Sequence, residues 1–341
     1  MRKNPFLPLL FLVAALLPAS CSDTETDNAA EKANTCIVDV LYSPSGLGDA
    51  GYNDLSLTGI TKACNDLGLA LDVHQPATME KGWEIYKAWL SEERAPGERR
   101  LFIFAENGYA DSLIAHNPEE REGQTILLFE TADSIPGVHT FFIDPYGASF
   151  MLGRLASLWG ESPSAATLGA NPYDKMVDRF VQGFKAGYLE GDSAHVFDQY
   201  YISTERGEGY NLPDRAYEMC DTICRDHDFI FPVAGGSNMG VLRYIRSTYD
   251  YPSYIGGVDV DLSPYSTNVA ASVVKGIDTL LGDLLKEWSA GKALPHFKRY
   301  GLDTGYPDLV FSRLYEEFFT PYTDGLKELA TKREKEYAAH H

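Results

Sequence analysis

Residues 43–59, S-P-S-G-L-G-D-A-G-Y-N-D-L-S-L-T-G, carry the densest chemical signal in the chain. Gly46, Gly48 and Gly51 spell G-x-G-x-x-G between an apolar run, C-I-V-D-V-L-Y, and a helix-forming segment. Asp72 lies about twenty residues on, where a dinucleotide site places the carboxylate that holds a ribose. Hydride chemistry with NAD is the first expectation. Two details oppose it. Residues 43–45 separate the apolar run from Gly46, whereas a dinucleotide turn begins at the strand end, and Asp72 sits inside its own apolar strand. The segment reads instead as a flexible glycine-rich loop that brings Asp49 and Tyr52 to a helix start, with Asn53 placed to cap it. Cys220, Cys224 and His227 form C-x3-C-x2-H, but no second ligand pair accompanies them, and the two cysteines read as packed or locally bridged residues of one helix. V-D-V-D at 258–261 is only a fragment of the clustered aspartates that metal-assisted hydrolysis needs, and no nucleophile–base pair is evident. No metal, no cofactor and no catalytic residue is expected; the chain does not read as an enzyme.

The elements that must position these residues alternate. Strand-like runs are C-I-V-D-V-L-Y, L-A-L-D-V-H, R-L-F-I-F-A, T-I-L-L-F-E, V-H-T-F-F-I, A-A-T-L-G-A, A-H-V-F-D-Q-Y-Y-I, D-F-I-F-P-V-A, S-Y-I-G-G-V-D and T-N-V-A-A-S-V. Helices are expected to start near Asn53, Met79, Tyr109, Tyr146, Tyr173, Pro213, Ser237 and Ser272, the last running to Ala290. Strand–helix alternation means parallel sheets covered on both faces, and so many strands fit two Rossmann-like α/β lobes joined by a hinge. Lobe 1 is expected at 36–145 plus about 266–290, lobe 2 at 146–265, and 291–341 as a C-terminal strand and helices packed on both. Open α/β sheets bind ligands at the carboxyl ends of their strands. Those ends carry Glu106, Asn107, Glu130, Gly235, Gly236 and Asp259 beside the 43–53 loop.

From its N-terminus the protein is expected outside the cytoplasm. Arg2 and Lys3 precede the apolar residues 6–17, a signal-peptide core too short to span a bilayer. Ala19 and Ser20 then precede Cys21, the pattern of a lipidation site, although Pro18 stands where a larger aliphatic residue is usual. Residues 1–20 are expected to be removed, Cys21 acylated, and residues 21–35, polar and acidic, to act as a tether. No later apolar run approaches the ~18 residues of a membrane span, so the membrane is expected to be met through the lipid alone. The net charge of −20 argues against nucleic acid as a partner. In an oxidising compartment a Cys36–Cys64 bridge is within reach, because both residues fall at the bottom of a β-α unit.

Five segments carry a family resemblance. G-L-G-D-A-G-Y-N-D-L-S-L-T-G-I-T-K-A-C-N-D-L-G, A-T-L-G-A-N-P-Y-D-K-M-V-D-R-F-V-Q-G-F-K-A-G-Y, D-F-I-F-P-V-A-G-G-S-N-M-G-V-L, Y-I-G-G-V-D-V-D-L and A-S-V-V-K-G-I-D resemble, in order and spacing, segments of the basic membrane protein family. These are the nucleoside-binding lipoproteins that serve ABC importers. The resemblance covers most of 36–290 and implies the two-lobed, hinged architecture of type I periplasmic binding proteins. It further implies a purine nucleoside held between aromatic rings, one from each lobe, with carboxylates and a lysine on the ribose hydroxyls. Tyr52 stands at the family's stacking phenylalanine, Asn53 at its asparagine, Asp49 at the second of two aspartates, Asp259 at the ribose aspartate and Lys275 at the lysine. Gly48 and Gly51 depart from the pattern. Gly235 and Gly236 would offer backbone N–H groups, while Glu106, Asn107 and Glu130 would read the base edge. Tyr200, Tyr201 and Tyr210 are alternatives for the second-lobe ring. A lysine at the start of a helix, as Lys275 is expected to be, faces the positive end of its dipole and so calls for a functional reason.

The resulting expectation is a monomeric, lipid-anchored cell-envelope protein that captures a nucleoside-like solute between its lobes for an ABC permease. A ligand-sensing lipoprotein on the same fold, and a secreted nucleoside-processing enzyme, are the alternatives.

Overall fold

The computed structural model describes residues 35–44, 46–131, 133–159, 163–248 and 253–340. The expected signal peptide, most of the tether and Cys21 lie outside the described residues. The described residues belong to one compact unit, and its two sheets are filled in chain order. The first sheet takes β1 (Cys36–Leu41), β2 (Ala70–His74), β3 (Arg99–Phe104), β4 (Gln124–Leu128) and β5 (His139–Ile143), all parallel. Between them run α1 (Tyr52–Leu67), α2 (Met79–Ser91) and α3 (Ala110–His116). The side-chain period of two divides β3 between two cores: Leu101 and Ile103 pack with one cluster, Phe102 and Phe104 with the other.

The chain then crosses through Asp144 and Pro145 into α4 (Tyr146–Ala156). The second sheet takes β6 (Ser164–Gly169), β7 (Val196–Tyr201), β8 (Phe229–Val233), β9 (Tyr254–Asp259) and β10 (Val269–Val274), interleaved with α5 (Lys175–Gly191), α6 (Pro213–Asp226) and α7 (Asn238–Ser247). A second crossing at Lys275 and Gly276 leads to α8 (Ile277–Ser289), which packs on α1 in the first lobe, and to β11 (Phe297–Tyr300) at that sheet's edge. The third crossing returns the chain to β12 (Asp308–Phe311), antiparallel to β10, and to α9 (Glu316–Phe319) and α10 (Leu326–Ala338). The strand orders are β11-β5-β4-β3-β1-β2 and β12-β10-β9-β8-β6-β7. Both sheets are parallel-built α/β layers, as the alternation requires.

Several expectations change. Residues 269–274 are a strand of the second sheet, so the expected return to the first lobe from about 266 begins only after Val274. The helix expected from Ser272 starts at Ile277, because Gly276 adopts φ 62° and interrupts the apolar run. The single C-terminal strand expected within 291–341 is two, β11 in the first sheet and β12 in the second. The helix expected near Tyr173 starts at Lys175, where the Asp174 carboxylate accepts the Met176 and Val177 N–H groups. The four described cysteines are buried free thiols; Cys36 and Cys64 are not bridged.

Helices α4 and α5 cross at contact distance. A Cβ on Gly187 would overlap the Phe150 carbonyl oxygen, and one on Gly153 that of Phe184. Backbone stands on the other side, so neither clash can be relieved by a rotamer change. We expect Gly187→Ala to lower the unfolding free energy by about 1–3 kcal/mol or more through overpacking, read from the urea midpoint; an unchanged midpoint would show that the helices can separate freely.

Candidate functional site

The carboxyl ends of both sheets face one cleft of about 1370 Å³. That is larger than the roughly 300–1,000 Å³ of a closed small-molecule pocket, and it leaves room for a ligand together with lobe closure. Asp49, Tyr52, Asn53, Glu106, Asn107, Glu130, Gly235, Gly236, Asp259 and Lys275 all line it.

At the centre lies Lys275, 4% exposed. It is not at a helix start, as its sequence neighbours suggested, but at the end of β10, on a crossing, ahead of the Gly276 that precedes α8. Its Nζ donates to Glu130 Oε1 at 3.1 Å and lies 4.0 Å from Asp259 Oδ1. It also stands 4.8 Å from the Tyr52 ring centre and 5.5 Å from that of Phe180. One ammonium thus touches a carboxylate and a ring from each lobe. Such contacts are strong where water is excluded.

Glu130 comes after β4 with φ 52°. Its Oε1 also accepts the Tyr52 hydroxyl at 2.8 Å, and Oε2 accepts the Ile143 N–H at 3.2 Å. Burial, then the Glu130 charge, raises the Tyr52 pKa, which keeps the phenol a donor. Glu130, expected at the base edge, already serves three internal donors with its oxygens. Asp49 is committed likewise. Its carboxylate accepts N–H groups of Gly51, Asn53 and Asp54 and the Asn53 side-chain amide. Asp54 in turn accepts from Gly48 and Ala50 N–H. The loop expected to be flexible is tied by two carboxylates, and Gly48 and Ala50 hold positive φ to allow it. Asp49 and Asn53 fix the start of α1, the orphan N–H groups of which need such acceptors.

Asp259 differs. It ends β9 at φ 66°, and its side chain pairs with Lys275. Burial raises its pKa from 3.8 to about 6, with Lys275 opposing and Glu130 and Asp49 adding. Glu106 accepts the Gly108 N–H at 3.0 Å, and burial foremost raises its pKa. Asn107 is exposed and donates to the Glu130 carbonyl at 3.4 Å. Gly235, at φ 52°, and Gly236 pass close beneath Tyr210.

Of the three tyrosines weighed for the second lobe, Tyr210 lines the cleft and donates to Asp174 Oδ2 at 2.6 Å. Tyr200 and Tyr201 lie on β7, with Tyr200 against His227 and Tyr201 bonded to Gln199. Sequence reasoning missed Phe180. The signal was present: α5 starts after a strand end, so its first turns meet the cleft, and Val177 and Phe180 lie one helical turn apart on that face. No group of metal-ligating side chains occurs among the described residues. No helix there is long and apolar enough to cross a membrane.

The sequence matches the family described as ABC transporter substrate-binding protein PnrA-like over residues 38–338. No curated protein sequence matches the chain. Similar solved structures include an ABC transporter solute-binding protein from Aeropyrum pernix, 17% identical with TM-score 0.68, covering 88% of this chain and 86% of that one. A transcriptional activator of the comK gene from Bacillus halodurans is 18% identical with TM-score 0.66, covering 88% and 97%. An ABC transporter periplasmic solute-binding protein from Actinobacillus succinogenes, with bound D-allose, is 11% identical with TM-score 0.62, covering 82% and 99%. At these identities the likeness establishes the fold: the two-lobed periplasmic-binding architecture.

Proposed function

The chain belongs to the PnrA-like family of ABC transporter substrate-binding proteins, and from that premise we propose that its ligand is a purine nucleoside held between the lobes. It is a solute-binding protein and not an enzyme. The observation that supports this ligand is the set around Lys275. Two aromatic rings, Tyr52 and Phe180, come from opposite lobes, and Asp259 keeps acceptor capacity beside the ammonium. A nucleoside offers a flat apolar face and a vicinal diol. Rings stack on the first, and an ionised carboxylate next to a cation takes both hydroxyl protons of the second. Lobe closure then presents a changed surface to a permease. We further propose that the protein is exported and monomeric, anchored through a lipid on Cys21.

Binding should depend on pH with a definite sign. Diol hydroxyls donate to ionised Asp259, whose pKa in the free protein is about 6. Above that value the site is ready. As pH falls through it, binding must displace a proton, and Kd rises by up to about tenfold per pH unit. The raised Glu106 adds in the same direction. Calorimetric titration of purine nucleosides between pH 5 and 8 measures this, alongside thermal shifts at pH 7.5. Asp259→Asn, an isostere that tolerates the positive φ, should weaken binding about 10- to 100-fold at pH 7.5 and flatten the profile. If no nucleoside raises the melting temperature while another solute class does, the ligand assignment is wrong.

A further inference from the structure

Outside the cleft lining, one carboxylate holds a cation from each lobe. Asp144 follows β5 on the first crossing and is fully buried. Its Oδ1 accepts the Tyr146 N–H at 3.1 Å. Its Oδ2 accepts from Nη1 of Arg179, on α5 of the second lobe, at 3.1 Å, and is also paired with Arg299 of β11, at the edge of the first sheet. Arg299 and Asp144 are tied to the same lobe, because β11 pairs with β5 and Arg299 stands opposite Phe142. Arg179 reaches over from the other lobe. Its side chain is 12% exposed. Its guanidinium lies 5.2 Å from the ring centre of Phe142, in the first lobe, and 5.2 Å from that of Tyr337 on α10. Helix α10 is fastened to the second lobe: Arg333 donates twice to Glu190 of α5, at 2.8 and 3.2 Å. Glu334 supplies the second negative charge of the cluster. Burial lowers the pKa of both guanidiniums, and the Glu334 charge opposes this in each.

Buried ion pairs seldom add stability over apolar packing of the same volume, and the place between the Phe142 and Tyr337 rings would suit an apolar side chain. What charge-assisted hydrogen bonds impose is a distance and a direction. The arrangement that meets them here is one in which the cleft holds about 1370 Å³, wider than a closed pocket. We propose that Arg179 is a hinge latch: it ties the second lobe to Asp144 and Phe142 in the open arrangement, so that part of the free energy of ligand capture goes into releasing it. Turning the lobes about their crossings moves α5 relative to β5. That lengthens the Arg179–Asp144 bond and slides the guanidinium off the Phe142 ring. The closed state is thereby held to a minority, and the measured affinity is the intrinsic one reduced by that fraction. Arg179 does not line the cleft. It is a positioning residue that sets affinity from the hinge.

The test uses Arg179→Met, which keeps the volume between the two rings, and Arg179→Lys, which keeps the charge without the planar fork. Small-angle X-ray scattering of the ligand-free proteins and calorimetric titration with adenosine and guanosine are read at pH 7.5. Arg179→Met should have a smaller radius of gyration than ligand-free wild type, shifted toward that of ligand-saturated wild type. Its nucleoside Kd should be lower by about 3- to 30-fold. Arg179→Lys should move both quantities in the same direction by less. A merely structural arginine predicts the opposite, since lost packing or partial unfolding raises the radius and weakens binding. If Arg179→Met does not fold, Arg179→Lys decides by the same criteria. A radius that is unchanged or larger, or a Kd within about twofold of wild type or higher, overturns the latch. Scattering needs no ligand. Failure of both nucleosides to bind wild type would therefore overturn the nucleoside reading alone, and the radius of gyration would still decide the latch.

Discussion

Lys275→Met is expected to lower the unfolding free energy by about 3–5 kcal/mol, because it leaves buried charge without its partner. The side chains of Lys275 and Glu130 are 5% and 9% exposed, so solvent screens little of this pair. Methionine fills the same volume between Tyr52 and Phe180, which removes cavity formation as an explanation. Glu130 keeps the Tyr52 hydroxyl and the Ile143 N–H but loses its cation. Asp259 loses the one influence that lowers its pKa. It therefore titrates further above 6, and the acid limb of nucleoside binding should move to higher pH along with a large loss of affinity. A double-mutant cycle isolates the pair. Glu130→Gln retains an acceptor for Tyr52 or Ile143 after an amide flip, so it should cost less in the Lys275→Met background than alone, with a coupling within the roughly 0.5–3 kcal/mol range of contacting residues. Urea unfolding at pH 7.5 reads both numbers. A change below about 0.5 kcal/mol for Lys275→Met would place it among ordinary surface substitutions and deny the lysine its place between the lobes.

The cleft was legible because its framework is repetitive. Apolar runs such as R-L-F-I-F and D-F-I-F-P-V are buried on both faces, and the residues after each run must reach the carboxyl edge of the sheet. Of β11 and β12 only one C-terminal strand was legible, without its place in a sheet, because sheet-edge strands need no continuous apolar run. β11 reads F-K-R-Y with Phe297 exposed, and β12 reads D-L-V-F with Val310 exposed. The 266–290 region misled for the opposite reason. The apolar residues of β10 and α8 are nearly continuous, and the break lies in the backbone of Gly276. Within the site, residue type could be read and occupancy could not. Asp49 and Glu106 look alike in sequence. Only the fold shows that four N–H groups consume the first while the second keeps open acceptors. Phe180 was hidden by its type, since an apolar residue on a buried helix reads first as core, and here it is core and cleft wall together.

Glu334→Ala should produce the other large loss, far from the cleft lining and at the hinge itself. Glu334 projects from α10, 3% exposed. Its Oε2 accepts the Gly147 N–H at 3.0 Å, in the first turn of α4, and its Oε1 accepts the Leu302 N–H at 3.1 Å, just past β11. One carboxylate thereby satisfies orphan backbone donors on two of the three crossings. Gly147 and Gly301 leave it room: a Cβ at either would crowd its oxygens. Tyr337, one turn on, stacks on Tyr146 at 4.3 Å and accepts the Arg179 guanidinium on its ring. Alanine leaves two buried N–H groups unmet, at about 1–3 kcal/mol each, and removes a negative charge felt by Arg299. A loss of about 2–5 kcal/mol in urea is expected. Glu334→Gln, still able to accept at one oxygen, should lose less. Burial raises the Glu334 pKa against the pull of its two backbone donors and Arg299. The native state therefore holds this proton more tightly than the unfolded chain, and the Glu334 contribution to stability falls as pH rises from the ordinary carboxyl range toward the raised native value. Glu334→Gln should remove that part of the pH slope. Hydrogen exchange locates the effect. The Gly147 and Leu302 amides should lose protection together in Glu334→Ala while the Phe102 and Phe104 amides of β3 change only by the global loss. Equal loss everywhere would make Glu334 a general stabiliser, and unchanged protection at Gly147 and Leu302 would remove α10 from the hinge.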